Sequence, residues 1–338
     1  MKALVLQAPY QLEMCDVAEP EVPEGYAKVK LSAVSICGSD YHAYRGNSLL
    51  LTYPRIIGHE LCGIVEEIKD GKSSVRPGDK VSILPYISCG KCHACRKGRE
   101  NCCTSLKVLG VHVEGGLAEH VSVPASLLLK LPDDMDSKIA ALIEPLSVSA
   151  HCVRRGNVGK DDRVLVLGAG PIGLGAAEFS RIAGADVRIA DVNPVRRAFA
   201  SDVFGYIALD PSADDFDQTL RAWTHEEYPS IVIDSTGNKK SNDVAINYLG
   251  AAGNLVFVGL QSDILAISDP AFHVREATVF ASRVAQMRDF EYVLECIETG
   301  KIHPEKMITN TAGFDRAKEA FEEWFASGGA VFKGVIEL

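Results

Sequence analysis

The chain has 338 residues, of which 47% are hydrophobic and 24% charged, and its formal net charge is −10. This composition is typical of a globular protein, the length predicts two domains that each bury a core, and the acidic balance argues against binding to nucleic acid or an anionic membrane. We find no apolar stretch of membrane-spanning length and no signal-peptide cleavage pattern, so we expect a cytoplasmic protein whose ten cysteines are metal ligands rather than disulfides.

The first part of the chain is predicted to be rich in β-strands and irregular. Residues 3–35 form short stretches of strand pattern separated by prolines and a glycine. Two loops with many functional residue types are expected next, at Cys37–Asn47 and Tyr53–Gly63. Further strands follow, around a turn at Arg76–Asp79 and on through Lys130.

After Leu131-Pro132 the pattern changes. Helical periodicity covers Ser137–Arg154, and from Arg163 apolar strands alternate with helical stretches. Such alternation predicts a doubly wound parallel sheet. Its expected strands are RVLVLG, DVRIAD, SIVIDS, NLVFVG and TVFAS. From Val284, we expect two amphipathic helices and a last strand, VFKGVIEL, that returns to the first domain.

Four cysteines lie close together in the first part, with the spacing Cys89-x2-Cys92-x2-Cys95-x7-Cys103. Four thiolates on short loops suit a tetrahedral zinc with no open position, which is a structural site. An iron–sulfur cluster is the alternative, although ferredoxin-type runs place the fourth cysteine after three residues and follow it with proline. A shift of one residue in this assignment would exchange Cys103 with the neighbouring Cys102.

A glycine-rich turn joins the first strand of the alternating region to a helix, with the sequence Gly168-Ala169-Gly170-Pro171-Ile172-Gly173. In a dinucleotide-binding turn, Gly168 allows the tight bend, Gly170 lets a pyrophosphate approach and Gly173 lets the helix pack on the strand. The helix start offers unpaired N–H groups to the phosphates. Asp191, eighteen residues after Gly173, is placed for the ribose hydroxyls and favours NAD. Because Arg196 and Arg197 follow Asp191 closely, NADP remains an alternative cofactor.

Cys37, the triplet Gly58-His59-Glu60 and Glu144 form a second candidate metal set. They lie far apart in the sequence, so their spacing alone does not unite them. Taken singly, each also has a purely structural explanation: a small buried cysteine, a hydrogen-bonded loop histidine and a carboxylate at a helix start.

The order of these motifs resembles the zinc-dependent medium-chain alcohol and polyol dehydrogenases over essentially the whole chain. The motifs are CGSDYH (37–42), GHE (58–60), the four-cysteine segment, Glu144-Pro145 and GAGPIG (168–173). With glutamate at position 144, the chain resembles the sorbitol and threonine dehydrogenase branch of this family. The resemblance is greater still to bacterial L-galactonate and L-gulonate 5-dehydrogenases, on segments that include YPRIIGHELCG, GVHVEGG, DSTGN, VFVGL and SDPAFHVRE.

This resemblance implies an α/β fold of two domains. An irregular, β-rich GroES-like catalytic domain would comprise residues 1–145 and 285–338, and a doubly wound Rossmann domain that binds NAD would comprise residues 146–284. It also implies two zinc ions per chain, one catalytic and one structural, and a homodimer or homotetramer. We expect the cofactor also to contact Arg196 and the residues of two further segments, Gly237, Val258, Gly259 and Leu260.

By the same resemblance, Cys37 and His59 bind the catalytic zinc. Glu60 is a direct or exchanging ligand, and Glu144 binds directly or through water. Oxidation of a secondary alcohol removes a proton from oxygen and a hydride from carbon, and zinc with an open position lowers the pKa of the hydroxyl. Ser39 is expected to receive the proton and His42 to pass it to solvent.

The resembling sugar-acid enzymes oxidise the C5 hydroxyl of a hexonate to a keto-uronate. A hexonate needs a cation for its carboxylate and polar groups for its hydroxyls. The candidates are Arg283, Arg45, His112 and Glu114. A sorbitol or other polyol dehydrogenase and an L-threonine dehydrogenase are the alternatives among enzymes, and an idle NAD-binding scaffold is the alternative that is not an enzyme. Zinc-free quinone reductases lack the cysteine segment.

Overall fold

A computed structural model describes residues 1–48, 50–71 and 73–338. Its strands are β1 Lys2–Ala8, β2 Gln11–Asp16, β3 Tyr26–Ser35, β4 Arg55–Ile56, β5 Glu60–Ile68, β6 Lys80–Ile83, β7 Tyr86–Ile87, β8 Lys107–Val108, β9 His120–Pro124, β10 Leu128–Lys130, β11 Arg163–Leu167, β12 Asp186–Ala190, β13 Ile207–Leu209, β14 Ile231–Asp234, β15 Asn254–Phe257, β16 Thr278–Ala281, β17 Ile308–Gly313 and β18 Lys333–Glu337.

Its α-helices are α1 Gly38–Tyr44, α2 His93–Arg96, α3 Ser137–Ala141, α4 Ile143–Arg155, α5 Pro171–Ile182, α6 Pro194–Phe204, α7 Phe216–Thr224, α8 Lys239–Val244, α9 Asp269–Val274, α10 Met287–Glu298 and α11 Ala317–Ala326. None of the helices in the described ranges is long and apolar enough to cross a membrane. The chain forms two compact units. Unit 1 comprises Met1–Glu144 and Ala285–Leu338, and unit 2 comprises Pro145–Val284.

Unit 1 is built on a mixed sheet with the strand order β10-β6-β5-β3-β18-β17, in which β9 also pairs with β3. Alternate residues of β3, such as Val29 and Leu31, are buried, because successive side chains of a strand point to opposite faces. Phe321 and Trp324 of α11 belong to the same buried cluster as these residues. The last strand, β18, lies antiparallel to β3, so the C-terminus completes the unit that the N-terminus begins.

Unit 2 is a parallel sheet with the order β13-β12-β11-β14-β15-β16. Its central strands are apolar and buried on both faces, as expected for a parallel sheet covered by helices. This strand order is that of a doubly wound dinucleotide-binding fold, which binds its ligand at the carboxyl ends of the strands.

The predicted fold class is confirmed, and so are the five predicted strands of the parallel sheet. Two local predictions are wrong. The predicted loop Cys37–Asn47 contains α1, because seven residues are too few to show helical periodicity against their many polar side chains. The predicted loop Tyr53–Gly63 contains β4 and the start of β5. The helical stretch Ser137–Arg154 is helical but is divided into α3 and α4 at Leu142.

Candidate active site and metal centres

The start of α1 brings Cys37 close to His59. Asp40, in the first turn of α1, accepts a hydrogen bond from the backbone N–H of Cys37 at 2.9 Å, which caps the helix. Its other carboxylate oxygen accepts from the backbone N–H of Gly58 at 3.3 Å and lies 3.8 Å from Nδ1 of His59. Asp40 therefore connects the helix start to the loop that carries the imidazole.

Three metal-binding groups meet beside this helix. Among the described residues, the ligand atoms of Cys37, His59 and Glu60 all lie within 4.8 Å of one another. Side chains bound to a tetrahedral zinc at about 2.0–2.3 Å have ligand atoms about 3.5 Å apart, so small side-chain rotations would bring these donors onto one ion. A sulfur, a nitrogen and an oxygen donor, with two of the three residues buried, fit a catalytic zinc with three protein ligands.

Glu144 lies in the first turn of α4 and is buried. Its carboxylate accepts a hydrogen bond from the hydroxyl of Tyr86, which is also buried. Burial raises the pKa of Glu144 to about 7, with repulsion from Glu60 adding to the shift and His59 opposing it. Burial and the neighbouring carboxylate also raise the pKa of Tyr86, so the phenol remains a hydrogen-bond donor.

Negative groups surround the imidazole of His59. Burial by itself would lower the pKa of His59, but the charges of Cys37 and Asp40 outweigh burial and raise it well above its ordinary value. Burial raises the pKa of Asp40 as well. A divalent cation bound among these buried acidic groups would favour their ionised forms.

Ser39 and His42, the proposed proton relay, both lie on α1. The hydroxyl of Ser39 is 3.5 Å from Nε2 of His59, beside the metal-binding groups. His42 is three residues further on, so both side chains share one face of the helix, and it is exposed. The two residues thus lead from the candidate metal centre towards solvent.

The four cysteines of the dense segment converge in unit 1. The Sγ atoms of Cys89, Cys92, Cys95 and Cys103 all lie within 4.8 Å of one another. Cys103 also accepts a hydrogen bond from the backbone N–H of Cys89 at 3.3 Å. Backbone hydrogen bonds lower the pKa of Cys92 to about 5, which favours its thiolate form, whereas burial raises the pKa of Cys95 to about 11. The Sγ of Cys102 lies instead 3.8 Å from the guanidinium of Arg99. This donor set fits a closed, structural zinc site.

The glycine turn of unit 2 leaves room where a pyrophosphate would bind. Gly168 has a φ of +97°, and a Cβ on Gly173 would lie 1.8 Å from the carbonyl oxygen of Gly168. A Cβ on Gly170 would meet nothing nearer than the guanidinium of Arg196, at 3.8 Å. No side chain caps α5, which begins at Pro171. Its first N–H groups therefore face an open cradle that fits a dinucleotide phosphate.

Asp191 follows β12 beside this turn. One carboxylate oxygen accepts from the backbone N–H of Ala169 and the other from that of Asn193, both at 2.8 Å. The guanidinium of Arg196 lies 3.9 Å from the same carboxylate, and Arg197 donates to the carbonyl oxygen of Asp191. The carboxylate is therefore fixed in position next to the helix start.

The other cofactor candidates lie in the loops after β14 and β15. A Cβ on Gly259 would lie 2.2 Å from the backbone nitrogen of Gly237, so the two loops are in contact. Val258 donates its N–H to the carbonyl oxygen of Asp234 at 2.8 Å, and Leu260 is 80% exposed. These loops lie at the carboxyl ends of the parallel strands, where such folds bind dinucleotides.

Two of the substrate candidates in unit 1 have charged or aromatic partners. The guanidinium of Arg45 lies 4.7 Å from the ring centroid of Phe325. The carboxylate of Glu114 accepts from Arg55 at 2.7 Å and from the backbone of Ile56 at 2.7 Å, so it attaches its loop to β4.

The other two candidates have different surroundings. Nδ1 of His112 accepts a hydrogen bond from the backbone N–H of Val108 at 3.1 Å, within its own turn. Arg283 lies in unit 2, just after β16, and is exposed.

Sequence reasoning missed three residues that hold the candidate ligands: Asp40, Tyr86 and Lys333. Asp40 stands three residues after Cys37, a helix-capping spacing that could have indicated its role. Tyr86 donates to Glu144, 58 residues away in the sequence, and Lys333 donates to Glu60, 273 residues away. No local pattern marks such distant pairs.

Comparison with known proteins agrees with this geometry. Residues 23–133 match the family model of the alcohol dehydrogenase GroES-like domain, and residues 171–299 match that of the zinc-binding dehydrogenases. The chain is 40% identical to the L-galactonate-5-dehydrogenase of Escherichia coli (strain K12) over 99% of this chain and 98% of that protein. It is 34% identical to the L-idonate 5-dehydrogenase of Vitis vinifera, over 92% and 87%.

A solved structure, the short chain alcohol dehydrogenase rspB of E. coli CFT073 complexed with NADH, superimposes with a TM-score of 0.93 at 31% identity, over 100% of this chain and 99% of that one. The chain therefore belongs to the zinc-type medium-chain alcohol dehydrogenase family. The prediction of an enzyme, an oxidoreductase rather than an idle scaffold, is confirmed by this membership, and the family supports zinc and NAD as its cofactors.

Proposed function

We propose that this enzyme oxidises a secondary hydroxyl of a sugar acid, L-galactonate or L-gulonate at C5, to a keto-uronate, with NAD as the hydride acceptor. The observation that carries the proposal is the convergence of Cys37, His59 and Glu60, a donor set for a catalytic metal. The full-length similarity to an L-galactonate-5-dehydrogenase supports the substrate class.

In this proposal, unit 1 is the catalytic domain and unit 2 binds NAD. Unit 1 holds two zinc ions, one at Cys37, His59 and Glu60 with Glu144 beside them, and one at the four converging cysteines. Unit 2 holds the pyrophosphate of NAD at the start of α5 and the ribose at Asp191. We further propose that the enzyme forms a homodimer or homotetramer.

Bound zinc supplies a Lewis acid that lowers the pKa of the substrate hydroxyl towards neutrality. The hydroxyl of Ser39 lies beside the donors, where it accepts the proton of the substrate hydroxyl as it gives up its own proton. His42, exposed on the same helix face, takes up the proton that Ser39 releases and transfers it to solvent, because an imidazole ring can both accept and donate a proton. Asp40 holds His59 in place while this occurs.

The substrate carboxylate requires a cation, and we propose Arg283 for this role. Arg283 follows the last strand of the parallel sheet, at the end where doubly wound folds bind their ligands.

The decisive experiment measures NADH formation by the zinc-loaded enzyme with a panel of alcohols. L-galactonate and L-gulonate should give the highest kcat/KM, at least about tenfold above sorbitol, because only the hexonates use the carboxylate contact. A preference for sorbitol or L-threonine would replace the sugar acid by one of those substrates. Failure of the whole panel with NAD would refute the proposal.

A further inference from the structure

Aromatic rings connect α11 to α1, the helix that carries the proposed proton relay. The ring centroid of Phe325, on α11, lies 5.1 Å from that of Tyr44 and 5.7 Å from that of Tyr41. The guanidinium carbon of Arg45, the residue that follows the end of α1, lies 4.7 Å from the same centroid. Tyr10, between β1 and β2, makes an edge contact with this ring at 6.3 Å. A single side chain of α11 therefore contacts three residues in the second half of α1 and at its end.

The relay residues depend on α1 for their position. This helix has seven residues, and a helix of this length is not stable without packing. Because an α-helix has 3.6 residues per turn, Tyr41 and Tyr44 lie on the face opposite to that of Ser39 and His42. Ser39 and His42 are both exposed, so they are not packed into the core themselves. Their position follows from the contacts that hold the opposite face.

The two ends of α1 are held by different contacts. Asp40 fixes the start of the helix by accepting hydrogen bonds from two backbone N–H groups. The second half is held by α11, where Phe321, one turn before Phe325, lies 5.0 Å from Tyr41 and 5.3 Å from Tyr44. Phe321 is fully buried, whereas Phe325 is only partly buried. Phe325 can therefore be changed at a smaller cost in stability than Phe321, and with the metal-binding start of α1 still in place.

We infer that Phe325 is a positioning residue for the proton relay, because its ring holds the second half of α1 where His42 can take the proton that Ser39 releases. This inference rests on the proposed function, in which these two residues carry the proton of the substrate hydroxyl to solvent. Without the ring, the second half of α1 moves and the distance between the two relay side chains is no longer fixed. Proton transfer depends on that distance, so the relay slows while the metal ligands stay in place.

The test is the rate of NADH formation in the first turnover of the zinc-loaded enzyme, which product release cannot limit. The best substrate of the alcohol panel is used. Phe325→Leu should lower this rate at least about tenfold, since a misplacement of about 1 Å can cost about 100-fold. The substrate concentration that gives half of the maximal rate should change by less than about twofold, because the ring does not bind substrate. Phe325→Tyr, which keeps the ring, should retain the wild-type rate.

Two further readouts separate positioning of the relay from a general loss of structure. In a His42→Ala background, Phe325→Leu should cause no further loss, because the relay is already broken. The solvent deuterium isotope effect on the first-turnover rate should rise in Phe325→Leu, because proton transfer becomes the slow step. Phe314→Leu is the matched control. Phe314 is a partly buried ring of the same hydrophobic cluster, without a ring contact to α1 in the described ranges, so this variant should keep the wild-type rate and isotope effect.

The outcomes distinguish the inference from the function on which it rests. A wild-type rate in folded Phe325→Leu would overturn the inference. A loss that adds to that of His42→Ala, or an equal loss in Phe314→Leu, would do the same. If thermal unfolding shows that Phe325→Leu does not fold, Phe325→Met, which fills more of the space of the ring, is judged by the same readouts. A wild-type rate in His42→Ala would instead refute the relay of the proposed function.

Discussion

Alanine substitutions in the glycine turn separate packing from cofactor binding. In Gly173→Ala, the new Cβ starts 1.8 Å from the carbonyl oxygen of Gly168, whereas real Cβ contacts essentially never fall below 3.0 Å. The backbone of the turn must move, and overpacking of this kind costs about 1–3 kcal/mol. We expect the upper end, about 3 kcal/mol, because the obstacle is main chain, which lowers Tm by about 6–12 °C. In Gly170→Ala the nearest atom is 3.8 Å away, so stability should change by less than about 0.5 kcal/mol.

The same two variants have distinct effects on NAD. The methyl of Gly170→Ala occupies the space through which a pyrophosphate approaches, so NAD affinity should fall at least about tenfold in a protein of normal stability. Thermal unfolding and an NADH fluorescence titration measure the two effects. Gly159→Ala is the matched control, because its Cβ would lie 3.9 Å from the nearest atom. Wild-type stability in Gly173→Ala, or wild-type NAD affinity in Gly170→Ala, would refute the reasoning.

Three further predictions concern the substrate, the structural metal and acid stability. Arg283→Ala should raise KM for a hexonate far more than for sorbitol in steady-state kinetics, and equal losses would remove it as the carboxylate partner. Cys95→Ser should lower the zinc content by one ion per chain and also lower Tm, because a closed zinc site contributes directly to folding; a loss of zinc without a change in Tm would contradict this role. A hydrogen bond from Lys130 holds the pKa of Asp79 below its usual range. The stability that this carboxylate adds is therefore fully present above its pKa in the unfolded chain, about 3.9, and is lost as the pH falls through its pKa in the folded protein. Asp79→Asn should therefore reduce stability in urea unfolding at pH 7 and reduce it less as the pH falls below the unfolded pKa, and a difference that does not shrink with falling pH would contradict the assignment.

The parallel sheet could be predicted because its signals are local. Five apolar strand patterns and a glycine turn at a fixed spacing define it, and each is contained within a few residues. The three-residue strand β13 is too short to show a pattern. The return of the last strand to the first domain was predicted and is confirmed, but the sequence did not indicate that its partner is β3. Such long-range pairing depends on packing that no window of sequence contains.

The candidate site could be predicted only in part. The spacing of the four cysteines predicts their metal site from the sequence alone. Cys37, His59 and Glu60 were grouped only by resemblance to a family, and the structure supplies the distances between these three residues. The partner of Glu60, Lys333, comes from a strand 273 residues away and lies in a sequence typical of any buried strand.

Metal removal tests the central claim most directly. NADH formation from L-galactonate is measured in chelator-treated enzyme, before and after zinc is restored, with Cys37→Ser alongside. A Lewis acid contributes several kcal/mol to this chemistry, so activity should fall more than about 100-fold on zinc removal, return with zinc, and stay low in Cys37→Ser. Full activity in a chain shown to lack zinc, or in Cys37→Ser, would contradict the account.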